Sequence, residues 1–322
     1  MNLVQKAVSN GGKLAPLVVN DFGAMNPSVF IDNDGDILVN IRAVNYSLYH
    51  SENQQRFPSR WGPLAYLHPE QDQRLVTENY VVRLNPDLTV RNSAKVIMQE
   101  LHEPLWEFVG LEDCRLMKWD GRYFLVGCRR DLDTIGTSRM EYSEITIDKE
   151  NWIVREINRV RIPALDDSSY CEKNWFPILD KPYHFVKWHT PTEIVWANPD
   201  EPETKQVSVR ESIMTVKDQR GSSQVIRWGN VYISISHEVS LFKNYLAQKD
   251  ALYRHRLIVW DDQMNLVGVS NEFSFLDFPI EFCVGAAKLG DDLLLSFAVA
   301  DNAAFILQVP KLVVEDLIKE AL

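Results

Sequence analysis

The sequence lacks several features that would place it at once in a large class of proteins. No run of 18 apolar residues occurs in its 322 residues, so no membrane span is expected. Acidic residues outnumber basic ones by 45 to 34, which argues against a nucleic-acid partner, since that surface needs a basic face. The N-terminal segment has no continuous apolar core of the kind that signal peptides carry, and we expect a cytoplasmic location.

Recognisable metal and cofactor motifs are also absent. The four cysteines are scattered and form no CxxC pair, which is typical of reduced thiols and not of a disulfide framework or a zinc site. The histidines are separated, and neither HExxH nor DxD occurs, so we expect no metal and no cofactor. The absence of DxD argues against the common metal-dependent nucleotide-sugar transferases but leaves metal-free transferases open. No GxGxxG or GxxxxGK[ST] phosphate loop is present.

What the sequence does contain is a repeated strand-turn-strand pattern. Each copy joins two apolar runs through a polar turn that usually carries Gly or Asp, as β-hairpins do. We therefore predict an all-β fold, a single five-bladed β-propeller over residues 1–322, with an all-β sandwich as the alternative. The segment 309–322 predicts a short amphipathic C-terminal helix that opens at Pro310. The hairpins are expected near residues 28–43, 114–129, 175–189, 223–237 and 285–299.

Polar residues stand at matching points of the repeats, directly before the first strand and directly after the second. If the first strand of each hairpin is innermost, its leading residues converge on one mouth of the central channel. We predict a functional site at that mouth. The clusters before the first strands are Asn26, Glu112–Asp113, Glu172–Asn174, Arg220–Ser222 and Glu281. The clusters after the second strands are Arg42 with Asn45, Arg129 with Arg130, His189, His237 with Glu238, and Asp301.

One of these clusters lies in a motif that resembles a known family. The stretch GLEDCR at 110–115, followed by KWDGRYFLV at 118–126, resembles the GLEDPR-type motif of glycoside hydrolase family 130. That family contains the β-mannoside phosphorylases and their hydrolytic relatives, which are five-bladed propellers. NPSVF at 26–30 and ILVNIRAVNY at 37–46 are similar to the family's first blade. EKNWFPI, RGSSQVI and ISISHEV look more like propeller domains of bacterial glycan-assembly proteins, which often accompany glycosyltransferases.

The resemblance spans about residues 26–309 and assigns a role to Asp113. In the family, the matching aspartate protonates the glycosidic oxygen directly or through a sugar hydroxyl, and in the synthetic direction it accepts a proton. The chain departs from the family at Cys114, where the family usually has proline, and in a phosphate-site pattern that matches only loosely. A transferase that uses an activated sugar donor therefore stays open beside a phosphorylase. The alternative interpretation of Asp113 is a salt bridge to Arg115 or a turn cap.

The other site candidates follow from their charge and place in the repeat. In an acidic protein, a concentration of basic residues beside Asp113 favours an anionic substrate group, unless Glu112, Glu172 and Glu238 neutralise them. Tyr46 or Trp175 could stack on a sugar. The candidates for phosphate or donor binding are Arg42, Arg115, Arg129, Arg130, Lys173, Arg220 and His237. The candidates for sugar binding are Asn45, Glu112, Asn174, Glu281 and Asp301.

Together these features predict an inverting glycosyl-transfer enzyme that acts on β-linked, mannoside-like sugars. An ordinary inverting glycosidase needs two carboxylates, whereas transfer to or from a phosphate needs one carboxylate and nearby cations. The favoured hypothesis is a glycosyltransferase of glycan assembly, with a sugar phosphate or nucleotide sugar as donor and an oligosaccharide or glycan as acceptor. The alternatives are a β-mannoside phosphorylase that uses inorganic phosphate, a glycoside hydrolase, and a non-catalytic glycan-binding propeller.

Overall fold

A computed structural model describes residues 1–19, 23–46, 57–58, 65–66, 74–212, 214, 219–243 and 249–322. The chain opens with a short helix and a strand and continues into five antiparallel sheets arranged as blades, which confirms the predicted all-β, five-bladed propeller. The opening elements are α1 (Leu3–Ser9) and β1 (Lys13–Leu17).

Each blade runs from an inner strand at the axis to an outer strand at the surface. Blade 1 contains β2 (Gly23–Ile31), β3 (Ile37–Val44), β6 (Leu75–Leu84), β7 (Val90–Lys95) and β8 (Phe108–Val109), while β4 (Phe57–Pro58) pairs with β5 (Ala65–Tyr66). Blade 2 contains β9 (Glu112–Trp119), β10 (Arg122–Arg129), β11 (Arg139–Asp148) and β12 (Ile153–Arg161). Blade 3 contains β13 (Phe176–Pro177), β14 (His184–His189), β15 (Thr192–Ala197) and β16 (Thr204–Arg210).

The last two blades complete the ring. Blade 4 contains β17 (Arg220–Gly221), β18 (Ile226–Trp228), β19 (Val231–Lys243), β20 (Lys249–Trp260) and β21 (Leu266–Val269). Blade 5 contains β22 (Glu281–Leu289), β23 (Asp292–Val299) and β24 (Ala303–Val309). The C-terminal helix α2 (Lys311–Ala321) follows Pro310, as predicted. Of the helices in the described part of the chain, none has the length and hydropathy to cross a membrane.

The ring is closed by an element that the sequence analysis did not predict. Strand β1 pairs antiparallel with β24 and forms the outer strand of blade 5, so the two ends of the propeller lie in one sheet. Its sequence, KLAPL, is short and contains Pro16, so it carries little of the alternation that identifies a strand. Proline is tolerated there because β1 lies at the edge of its sheet.

The hydrophobic core consists of separate layers between neighbouring blades. Leu38 and Leu116 belong to a cluster between blades 1 and 2, and Phe176 and Trp260 belong to one between blades 3 and 4. Because the strands near the axis are covered on both faces, β3 is buried at all eight positions, including the polar Asn40 and Arg42. Burial of these layers is the main stabilising contribution to the fold.

Below the mouth, the axis is filled by a hydrogen-bonded glutamine. Gln224 is fully buried, and its Nε2 donates to Ser28 Oγ (3.0 Å) and to the carbonyl oxygens of Val29 and Leu116 (3.1 Å each). Its Oε1 accepts a bond from the Ala286 amide (2.9 Å). The side chain of Gln224 thereby joins blade 4 to blades 1, 2 and 5. It closes the channel below the mouth, so the mouth is a pocket.

Candidate active site

Left-handed backbone turns mark the start of three inner strands. Asn26, Asp113 and Asn174 have positive φ angles of 45°, 52° and 60°, a region in which Asn and Asp are enriched among non-glycine residues. They lead blades 1, 2 and 3 at matching positions and line the same pocket. Residues held in this sparsely populated backbone conformation cluster at functional sites, and here the conformation recurs at equivalent points of the repeat.

At Asp113 the turn is a β-bulge. The pairing between β9 and β10 passes from Arg115–Val126 to Glu112–Cys128, so Asp113 and Cys114 together face Gly127. A Cβ on Gly127 would fall inside van der Waals contact with the Glu112 carbonyl oxygen and 2.9 Å from Cys114 Sγ. Gly127 therefore permits the close approach of the two strands, and the bulge turns Asp113 towards the mouth.

The Asp113 carboxylate is held through one of its two oxygens. Asn26 Nδ2 and Arg42 Nη1 both donate to Oδ1, each at 2.7 Å, and Oδ2 has no hydrogen-bond partner among the described residues. Burial acts to raise the pKa of Asp113, but Arg42 and the Asn26 hydrogen bond outweigh it and lower the pKa to about 2. The group is ionised at neutral pH and presents one free oxygen to the pocket.

Arg42 is fixed by several partners on its own blade and the next. It is buried, its Nε donates to Thr77 Oγ1 (3.2 Å), and its Nη2 donates to Tyr46 Oη (2.7 Å) and lies 3.5 Å from Glu112 Oε2. The Arg42 guanidinium is already ion-paired with the carboxylates of Asp113 and Glu112. Arg42 therefore orients the carboxylate more than it offers a free charge to a ligand.

The pocket at the mouth has a volume of about 330 Å³, near the lower end of the range for small-molecule sites. It is lined by residues of all five blades. The candidates from the sequence that it brings together are Arg42, Glu112, Asp113, Arg130, Lys173, Asn174, Arg220, His237 and Asp301.

Three cationic side chains in this pocket have no partner among the described residues. The side chains of Arg130, Lys173 and Arg220, from blades 2, 3 and 4, make no ion pair or hydrogen bond with any of these residues. Of the nearby acids, Glu172 pairs with Lys187 (3.1 Å) and Glu238 accepts from Gln219 (3.0 Å), while Glu112 lies in the same pocket, where its charge raises the pKa of Arg130 against the effect of burial. Unpaired cations that converge on one cavity favour an anionic ligand there.

His237 adds a neutral donor to this set. Burial, together with His255, Lys173 and Arg220, lowers the pKa of His237 well below its ordinary value. Its Nδ1 lies 2.7 Å from Ser222 Oγ, and this nitrogen is the only acceptor for the Ser222 hydroxyl proton among the described residues. The hydroxyl therefore donates to Nδ1, which leaves the proton of the ring on Nε2, and Nε2 has no partner among the same residues.

Asp301, on blade 5, is the third carboxyl in the pocket, beside Glu112 and Asp113. Its φ is 52°, and burial raises its pKa to about 6, because the opposing effect of Arg42 is partly cancelled by the negative charge of Asp113. The pocket thus contains two aspartates whose pKa values are moved apart, one down and one up. Within the described ranges, no group of three or more His, Cys, Asp or Glu side chains is placed to hold a metal ion.

Four of the candidates from the sequence do not line the pocket. Arg115 is buried beneath it and donates to the carbonyl oxygens of Asp113 (2.7 Å) and Ser222 (2.6 Å), and Arg129 pairs with Asp131. Asn45 accepts a bond from the Val76 amide (2.8 Å). Glu281 accepts bonds from the backbone amides of 275, 276 and 278 and so holds the preceding loop. Their contacts position the backbone around the site.

Several pocket residues were not assigned a role from the sequence. Asn26 was placed at the mouth but given no role, although Asn26-Pro27-Ser28 occupies the place in blade 1 that Asp113-Cys114-Arg115 occupies in blade 2. Tyr46, proposed for stacking, does line the pocket, whereas Trp175 is buried and donates to Glu172 Oε2 (3.1 Å). The aromatic residues Phe108, Tyr253 and Phe282 gave no sequence signal that separates them from core residues.

The fold is shared with solved carbohydrate-active proteins at low sequence identity. A β-1,2-mannobiose phosphorylase from Listeria innocua is 13% identical, with 96% of this chain and 94% of that chain covered and a TM-score of 0.53. A GDP-Man-dependent mannosyltransferase from Leishmania mexicana is 11% identical, with 92% and 89% covered and a TM-score of 0.51.

A glycosyl hydrolase from Bacteroides ovatus has the same fold at 10% identity, with 90% and 84% covered and a TM-score of 0.54. No protein-family profile and no curated protein sequence matches the chain. The similarity therefore establishes the propeller fold, and three different activities are represented among these neighbours.

Proposed function

We propose that this protein is an inverting glycosyltransferase that moves a mannose-like sugar from a phosphate-bearing donor to a hydroxyl group of a glycan acceptor. One observation carries the proposal: the unpartnered Oδ2 of an ionised Asp113 lies in the same pocket as three cations that have no partner among the described residues. A carboxylate base and an anion site are the two parts that such a transfer requires.

The residues suggest a single displacement. The Asp113 carboxylate accepts the proton of the acceptor hydroxyl, whose oxygen attacks the anomeric carbon while the bond from that carbon to the phosphate oxygen breaks. The phosphate departs with the electron pair, and Arg130, Lys173 and Arg220 stabilise its charge. Nε2 of His237 donates a hydrogen bond to the same group. A one-step attack inverts the anomeric configuration. No second carboxylate is needed, because the phosphate leaves as an anion held by the cations and requires no acid to protonate it.

Asp113 is deprotonated at neutral pH, which is the state that the synthetic direction requires of a proton acceptor, although a pKa of about 2 makes the carboxylate a weak base. The same fold occurs in a mannosyltransferase and in a mannobiose phosphorylase, and this supports mannose or a close relative as the transferred sugar. The cytoplasmic location expected from the sequence remains a prediction.

A β-mannoside phosphorylase is the nearest alternative, because it runs the same step in reverse with inorganic phosphate. The three unpaired cations would then hold the attacking phosphate, and Asp113 would have to carry a proton when the substrate is bound. The two activities separate when the donor is a nucleotide sugar, because transfer from mannose 1-phosphate is the phosphorylase reaction in the synthetic direction. A phosphorylase forms mannose 1-phosphate from phosphate and a β-mannoside, whereas a transferase that uses a nucleotide sugar is inactive with inorganic phosphate.

A hydrolase is favoured by one observation, the raised pKa of Asp301 in the pocket that holds Asp113. Asp301 has a pKa of about 6 and Asp113 one of about 2, and a pair of carboxyls tuned apart can serve as acid and base. The unpaired cations speak against it, because water needs no anion site. A hydrolase would release free mannose from a β-mannoside without any phosphate compound.

The test uses the full chain with each class of donor. Mannose 1-phosphate and GDP-mannose are each incubated with β-mannoside acceptors, and inorganic phosphate with β-1,2-mannobiose, while product and anomeric configuration are followed by NMR. We expect a β-linked product from GDP-mannose and its loss in D113N, whereas a product from mannose 1-phosphate alone would indicate the phosphorylase. Mannose 1-phosphate from inorganic phosphate, or free mannose alone, would replace the proposal by the phosphorylase or the hydrolase. Saturable sugar binding that survives in D113N, with no product from any donor, would indicate a glycan-binding propeller.

A further inference from the structure

The central hairpin of blade 4 is longer than its counterparts. Strand β19 has 13 residues, whereas β3, β10 and β23, the second strands of blades 1, 2 and 5, have eight each and β14 has six. Its pairing with β20 is continuous from Tyr232–Trp260 to Lys243–Lys249. His237 pairs with Arg220 at the level of the pocket, so the following six residues extend about 20 Å beyond that level.

The side of this hairpin that faces the pocket changes from polar to apolar along its length. His237, Val239 and Leu241 alternate along β19 and therefore share one face, and all three line the pocket. Tyr253 lies directly opposite Val239 on β20, and Phe282 of blade 5 packs against His237 with ring centroids 4.7 Å apart. The pocket therefore has a charged side on blades 2 to 4 and an apolar wall on blades 4 and 5.

The apolar wall is exposed where it leaves the pocket. Leu241 is 59% exposed, although it stands on a face that continues directly into the site. Sugar hydroxyls find no hydrogen-bonding group on valine or leucine, and these side chains offer no flat ring for a sugar face. Their shape and chemistry suit hydrocarbon, whose removal from water is favourable in proportion to the apolar area buried.

We propose that the acceptor carries a hydrocarbon group next to its reacting sugar, and that Val239 and Leu241 bind this group. The inference rests on the proposed function, since it assumes that the cations of blades 2 to 4 take the phosphate of the donor and leave the wall of blades 4 and 5 to the acceptor. The hydrocarbon is either an aliphatic chain or an aromatic ring, and the two sources are separated by the probes below.

The probes are methyl, butyl and hexyl β-mannosides and phenyl β-mannoside, with binding measured by calorimetry on the D113N variant so that no turnover is required. We expect affinity to rise about two- to fourfold for each added methylene that the wall covers, the upper value corresponding to full burial. In L241S, the gain in affinity from butyl to hexyl β-mannoside should be at least threefold smaller than without this substitution. A stronger gain from phenyl than from hexyl would assign the wall to an aryl group, and the reverse would assign it to an aliphatic chain.

The matched control is F242S on the same strand. Phe242 is 46% exposed, but it is the next residue along β19, so it stands on the opposite face and does not line the pocket. F242S should leave the chain-length dependence unchanged. Equal effects of L241S and F242S would overturn the inference, because they would indicate a general docking surface on the hairpin tip. Affinity independent of chain length in the unsubstituted chain would overturn it as well.

The outcome is separable from that of the proposed function. Turnover with a phosphate-bearing donor but no dependence on chain length would leave the transferase standing and remove the hydrocarbon site. Binding that depends on chain length and on Leu241, without turnover with any donor, would keep the hydrocarbon site and remove the transferase.

Discussion

Two clusters of charge lie at opposite ends of the blades, and their ion pairing differs. At the lower end, Lys149 Nζ lies 2.6 Å from Asp32, 2.6 Å from Asp34 and 3.0 Å from Asp36, and Lys118 lies 2.9 Å from Asp32. At the upper end, Arg130, Lys173 and Arg220 line a cavity and pair with no described residue. We call these the lower cluster and the upper cluster.

The difference shows why a low pKa alone does not identify a site. Asp32 and Asp113 both have lowered pKa values, against the effect of burial, because cations or other donors surround them. In the lower cluster both Asp32 oxygens are bonded, and Tyr123 also donates to Asp32. In the upper region Asp113 has one oxygen free and faces a cavity. The charge left without a partner inside the protein is the one available to a ligand.

The largest predicted effect contrasts the two aspartates. D113N should reduce the proposed transfer rate about 1,000-fold, within the range for loss of a general base, whereas D32N should leave the rate within about twofold. D32N should instead lower the free energy of unfolding by about 2 kcal/mol, because lysines of the lower cluster lose their partner. Initial rates and urea unfolding of both variants measure these effects. A 1,000-fold loss in D32N would remove the distinction between the clusters.

A second contrast concerns two glycines, Gly127 in the bulge beside Asp113 and Gly35 in the turn of the lower cluster. G127A should cost about 3 kcal/mol of stability and most of the activity, since the added Cβ has no space beside the Glu112 carbonyl group. G35A, in the turn between Asp32 and Asp36, has open space around the new Cβ and a φ of +87°, so only backbone strain of about 1 kcal/mol is expected. Equal losses measured by urea unfolding would show that the bulge tolerates a side chain.

The third contrast exchanges one lysine at each end for methionine. K173M should weaken inorganic phosphate binding about 10- to 100-fold with little change in stability, because Lys173 has no partner among the described residues to lose. K149M should leave phosphate binding unchanged and lower stability by about 2 kcal/mol, because three aspartates lose their shared cation. Calorimetry with phosphate and urea unfolding check both halves. Unchanged phosphate binding in K173M would contradict an anion site at the upper cluster.

Much of the fold was predictable because hairpins and apolar runs repeat along the chain. The C-terminal helix was marked by Pro310, whereas β1 carries only five residues and depends on pairing with β24, which no local pattern reveals.

Part of the site was also predictable, since the polar clusters that precede the inner strands meet at the mouth. Periodicity could not separate Arg130, which faces the pocket, from its neighbour Arg129, which pairs with Asp131, because a bulge or a nearby acid decides such details.

The last contrast lies inside the pocket, where the pKa values of Asp113 and Asp301 are shifted in opposite directions. The pKa of Asp301 is raised to about 6, so the folded protein keeps a proton that the unfolded chain releases between pH 4 and pH 6. Stability from this group is therefore full below pH 4 and falls as the pH rises to 6. D301N should be more stable than the unsubstituted chain at pH 8, by up to about 3 kcal/mol, and close to it at pH 4, as measured by urea unfolding.

The opposite sign is expected for Asp113, whose pKa is lowered to about 2. Its contribution is full above the ordinary aspartate pKa near 4 and is lost as the pH falls towards 2, so D113N should be less stable than the unsubstituted chain at pH 8. The two variants thus act as controls for each other, because they remove carboxyls from one pocket. A stability difference for D301N that does not change between pH 4 and pH 8 would contradict the raised pKa. The hydrolase alternative would then lose the protonated acid on which it depends.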